Sequence, residues 1–65
     1  MERYKVQQVL DLLFADGWRI KAQKGSHRQL THPTKKGKVT VNGKRSKTMS
    51  QELLNSIWKQ AGWNK

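Results

Sequence analysis

The sequence predicts an α+β fold: a helix, three antiparallel strands and a second helix, with both helices on one face of the sheet. Three observations predict it. Apolar residues recur at helical spacing at both ends of the chain, and they alternate with polar residues in between. The connections between the alternating stretches are too short for parallel pairing, which needs a crossover of a dozen or more residues.

The first segment, Tyr4 to Asp16, carries Val6, Val9, Leu10, Leu13 and Phe14 on one helical stripe, and Gly17 follows as a natural C-terminal cap. From Trp18 the period changes to two, with Trp18, Ile20 and Ala22 alternating with Arg19, Lys21 and Gln23. Lys24-Gly25-Ser26 supplies a turn, and a second strand is expected from His27 to His32, ended by Pro33. Pro33 to Gly37 reads as a polar, lysine-rich loop. The third strand, Lys38 to Asn42, sets Val39 and Val41 against Lys38, Thr40 and Asn42. Gly43 to Thr48 is a basic connector without a period. The last helix carries Leu53, Leu54, Ile57, Trp58 and Ala61, with Thr48 and Gln51, or Ser50 alone, as its N-terminal cap. Gly62 ends it, and Trp63 is placed to fold back over the last turn.

Composition limits what such a fold does. A chain of 65 residues makes one domain, residues 1–65, that buries only ~60% of its unfolded surface. Activity is therefore expected on an open surface rather than in an enclosed cavity. With no cysteine there is neither a disulfide nor a thiolate metal site, which matches a reducing cytosol. No apolar run reaches the ~18 residues of a membrane span, and no signal-peptide pattern is visible, so a soluble cytoplasmic protein is expected. Fourteen Lys and Arg against four Asp and Glu give a net charge of +10. That field draws nucleic acid, anionic membrane or an acidic protein partner.

Strand parity selects the candidate site. If Leu30 faces the helices, Arg28 and His32 share its side, and His27, Gln29 and Thr31 face outward. His27 then stands beside the Gly25-Ser26 turn on the uncovered face, as a proton-transfer group or as an ordinary exposed strand-end histidine. His32 lies on the opposite face and ~17 Å away at ~3.3 Å per residue, so the two do not pair on one phosphate. No carboxylate or cysteine lies nearby in sequence to build a metal site with His27. Gly25 lets a backbone N–H approach a phosphate closely, although a hairpin turn also accounts for it. Lys35, Lys36 and Lys38, with the basic loop from Lys44 and Arg45 to Lys47, read either as a solvated face or as phosphate contacts. The tryptophans lie where core packing, rather than base stacking, explains them.

These residues resemble a known family. Ala15-Asp16-Gly17-Trp18, Gln23-Lys24-Gly25-Ser26-His27, His32-Pro33, Gly37-Lys38-Val39-Thr40-Val41 and Ile57-Trp58-Lys59-Gln60-Ala61-Gly62 look like the HicA (YcfA-like) toxins, in order and over nearly the whole chain. One departure is Asn42-Gly43-Lys44, where members often carry Pro-His-Pro or similar. The resemblance implies a double-stranded-RNA-binding-like fold used as an mRNA interferase, the toxin of a type II toxin–antitoxin pair. It implies His27 as the catalytic histidine, mRNA as substrate and a HicB-type antitoxin as partner. The expected chemistry is endoribonuclease cleavage without metal or cofactor. Lys24, Gly25, Ser26, Arg28, Lys35, Lys36, Lys38, Lys44 and Arg45 are the expected RNA-binding set. Two other readings remain at this point. One is a non-catalytic RNA-binding module, disfavoured because Ser50 to Asn55 has no lysine. The other is a DNA-binding or purely protein-binding partner.

Overall fold

The computed structural model describes residues 3–63. In chain order it forms α1 (Val6–Ala15), β1 (Arg19–Lys24), β2 (His27–Thr31), β3 (Val39–Val41) and α2 (Gln51–Gln60). The strands make an antiparallel sheet in the order β1-β2-β3. Leu30, Val39 and Val41 point inward and are fully buried, together with Val9, Leu10 and Leu13 of α1 and Ile57 of α2. Trp18 closes the same core at zero exposure. Both helices therefore cover one sheet face, as the sequence predicts, and the other face is left open.

Both helices stop by one device. The N–H of Trp18 bonds to the Leu13 carbonyl and that of Gly17 to Phe14; at the far end Trp63 bonds to Trp58 and Gly62 to Lys59. Each is the paired bond of a Schellman motif, with an apolar residue folded over the last turn. Trp63 meets Trp58 edge-on, ring centroids 4.8 Å apart. At Gly17 the constraint is double, because φ is +104° and an added Cβ would stand 2.9 Å from His32 Nε2. Gly17→Ala should therefore cost more than the ~1–2 kcal/mol of a left-handed residue, lowering the thermal midpoint by roughly 10 °C or more. A midpoint within about 2 °C of wild type would show that the His32 contact is loose.

Asp16, the residue before that glycine, ties the helix side together. Its Oδ2 accepts hydrogen bonds from the Lys35 ammonium at 2.7 Å and from the indole N–H groups of Trp18 and Trp63, each at 3.0 Å. The Lys35 bond, then that of Trp63, holds the carboxyl below its ordinary pKa despite partial desolvation. Folding then releases protons from this group, so its contribution is present above the unfolded value and fades as pH falls through the folded one. The midpoint difference between wild type and Asp16→Asn should be full at neutral pH and shrink below about pH 4. A constant difference across that range would contradict this role.

His32 is committed to the same corner. Its Nδ1 accepts the backbone N–H groups of Thr34 and Lys35, each at 3.1 Å, so Nε2 carries the proton donated to the Asp16 carbonyl at 2.7 Å. The basic connector also has a structural task. The carbonyls of Lys47 and Arg45 accept the N–H groups of Val6 and Gln7, satisfying the exposed start of α1. At α2, Ser50 alone is the cap, its hydroxyl accepting the Leu53 N–H at 3.2 Å.

Two placements differ from simple alternation. Ala22 is exposed on the open face rather than facing inward with Ile20, because the register slips by one residue between Ile20 and Ala22. Asn42 lies beyond the end of β3 and turns to the helix side, lining a cleft with Val6, Met49 and Leu53 instead of continuing the face of Thr40. β2 ends one residue early, at Thr31, because His32 leaves the sheet to make the bonds above.

Candidate functional site

The β1–β2 hairpin closes through two residues, Gly25 and Ser26, with Gly25 at φ +59° and no non-glycine residue at positive φ among those described. Glycine first and a negative-φ residue second is the pattern of a type II′ turn, whose twist matches the flanking strands. Gln23 braces it, its Nε2 donating to the Gly25 carbonyl at 3.1 Å. Lys24 and His27 are the last paired residues before the turn. Their side chains therefore share one face, and both are exposed.

The irregularity in β1 creates that pairing. Ile20 opposes Leu30 and Ala22 opposes Gln29, so Lys21 is an extra residue in the manner of a β-bulge. Unbroken alternation from Ile20 would send Lys24 inward. The bulge reverses parity, and Lys24 lands beside His27. Sequence reading has no local signal for this, apart from the small size of Ala22 where a core residue is expected.

Around His27 the surface is a shallow groove of about 200 Å³ lined by Ala22, Gln23, Lys24, His27 and Gln29. No described residue hydrogen-bonds the His27 imidazole, so both ring nitrogens are open to a ligand. The groove continues into a larger depression of about 420 Å³ over the middle of the sheet, through the shared residues Ala22 and Gln29. Lys21 and Lys38 border that second depression.

The remaining expected contacts divide. Arg28 is not on the open face. It is only 4% exposed, and its Nη1 donates to the carbonyls of Ser26 at 3.2 Å and Gly43 at 3.0 Å. Burial, then the charge of Arg45, pushes its guanidinium pKa down. Its place is to pin the turn to the connector, where a direct phosphate contact was expected. Lys35 is likewise diverted to the helix side, bonded to Asp16 and to the Ala61 carbonyl at 3.1 Å. Lys36 and Lys44 are exposed, and Arg45 is exposed with its Nη1 on Gln7 Oε1 at 2.8 Å. Since Arg28 links the Gly43 and Ser26 carbonyls, Lys44 begins directly beside the site's turn. Trp18, Trp58 and Trp63 all pack on the helix side.

Among the described residues, no three His, Cys, Asp or Glu side chains gather as a metal site. No described helix is long and apolar enough to cross a membrane. What the arrangement offers is one accessible imidazole and one ammonium at the end of a basic groove. A family model described as the HicA toxin of bacterial toxin–antitoxin matches residues 6–63. No curated protein matches the chain.

Proposed function

This chain belongs to the HicA toxin family of bacterial toxin–antitoxin systems, and we propose that it is an endoribonuclease whose proton-transfer residue is His27. The observation that carries this reading is the exposed Lys24–His27 pair at the closed end of the hairpin, beside a shallow groove open to solvent. A phosphodiester laid across the pair brings its 2′-OH or its leaving 5′-oxygen to the imidazole. The 2′-oxygen attacks the adjacent phosphorus and the P–O5′ bond breaks. Either the imidazole takes the 2′-OH proton and water protonates the 5′-oxygen, or the imidazolium protonates the 5′-oxygen and water takes the 2′-OH proton. The products carry a 2′,3′-cyclic phosphate and a 5′-hydroxyl. Lys24, directly across the hairpin, offsets the charge that builds on the phosphorane oxygens. Lys21, Lys36, Lys38 and Lys44 supply backbone attraction without reading sequence.

A toxin–antitoxin family implies an antitoxin partner, and a protein of the HicB type covering the open face would block His27. The excess of cations over acids suits an acidic partner. The test is to incubate the purified chain with single-stranded RNA in EDTA and identify the ends. Cyclic phosphate ends support the reading, whereas 3′-hydroxyl ends or activity lost in EDTA would overturn it. Tight binding without cleavage would instead favour a non-catalytic RNA-binding module.

A further inference from the structure

We propose that the larger depression on the open face is a nucleobase subsite next to the cleaved bond, with Gln29 as the base-reading residue. The proposal rests on His27 marking the point of cleavage. Gln29 lies two positions along β2 from His27 on the same face, about 7 Å away at strand spacing. That is close to one step of an extended polynucleotide. The β-bulge turns both Lys21 and Ala22 outward. Ala22, having no bulk, leaves a floor between them on which a planar ring can rest.

Chemistry then favours reading over mere holding. Gln29 is exposed, and its amide presents a donor and an acceptor side by side, the pattern that recognises a base edge in a bidentate manner. The Thr31 hydroxyl follows on the same wall. Neither side chain makes a hydrogen bond to another described residue, so the fold does not use them. Lys21 and Lys38 flank the depression, placed for the phosphates on either side of the base. No aromatic ring lines it, and so the indiscriminate stacking typical of sequence-blind single-strand binders is missing here. Bases are splayed and read on their edges in single-stranded RNA recognition, which suits an open sheet of this kind.

The test compares wild type with Gln29→Ala on an RNA randomised around the cleavage point. At the one nucleotide beside the cut, the spread between best and worst base should shrink from roughly tenfold to roughly twofold. Preferences elsewhere should persist. A parallel arm measures binding of short uncut RNAs, differing at single bases, to His27→Ala and to His27→Ala with Gln29→Ala. That arm judges the subsite even if wild type cleaves nothing, which would overturn the nuclease reading alone. Loss of base ranking on removing Gln29 supports the subsite. An unchanged ranking, or no ranking before Gln29 is removed, overturns it. Replacing Lys21 and Lys38 by alanine should weaken all RNAs alike and leave the ranking intact. Gln29 is exposed, so circular dichroism is expected to show every variant folded.

Discussion

His27→Ala should lower the rate of RNA cleavage by ~10²–10⁴-fold, the range of a positioned proton-transfer group, while leaving the thermal midpoint almost unmoved. The two halves of this result have separate causes. The imidazole is exposed and bonded to no described residue, and surface substitutions of that kind stay within about 0.5 kcal/mol in stability. The rate loss follows because no other imidazole lies on the open face; His32 is held on the opposite side by Asp16, Thr34 and Lys35. His27→Gln, which keeps hydrogen-bonding capacity but carries no transferable proton, should be as inactive as the alanine variant. RNA affinity should change little in either, because Lys24 and the flanking lysines remain. Cleavage within about threefold of wild type by either variant would remove His27 from the chemistry, given the size of effect expected.

Arg28→Ala should produce the opposite profile, a large loss of stability at a residue buried beneath the turn. Its guanidinium joins the Ser26 carbonyl, two residues away, to the Gly43 carbonyl, 15 residues away. Removing it leaves two carbonyls short of a charged donor, each bond being worth ~1.5–3 kcal/mol. Relief of the guanidinium's own burial offsets part of this, and its Nε has no partner to lose. We expect a net cost of about 3 kcal/mol, or roughly 10–20 °C in the midpoint of a chain this short. Arg28→Met keeps the volume and should recover the packing part only. Arg28→Lys should recover one of the two carbonyl contacts. Thermal melts of the three variants check this order, and an alanine variant as stable as wild type would show that the pin is dispensable. Cleavage should fall along with stability, because the turn presenting Lys24 and His27 loses its anchor to the connector.

The residues explain which parts of this fold are legible in the sequence. Gly17 and Gly62 each follow an apolar stripe and precede a tryptophan, so both helix ends can be read locally. The facing of β2 also follows from one large apolar residue, since Leu30 fixes Arg28 inward and His27 outward. The bulge at Lys21 is hidden because Trp18, Ile20 and Ala22 still alternate as letters, while the slip shows only in how β1 pairs with β2. The sequence therefore marks His27 but does not show that Lys24 shares its face. Lys35 reads as another loop cation because its partner Asp16 lies 19 residues away. The burial of Arg28 follows from parity, but its tie to Gly43 requires the third dimension. Gln29 stands outward in the sequence reading too; what makes it a candidate is the depression beside it, which depends on the bulge.

The most direct test of the account uses one RNA made in two forms, all-ribose and with a single 2′-deoxy sugar on the 5′ side of the preferred cut. Both are incubated with the wild-type chain and with His27→Gln in EDTA. Cleavage of the all-ribose strand by wild type alone, with the deoxy position silent and His27→Gln inactive throughout, is the predicted result. Cutting at the deoxy position, or by His27→Gln at the wild-type rate, would contradict a histidine-driven attack by the 2′-oxygen.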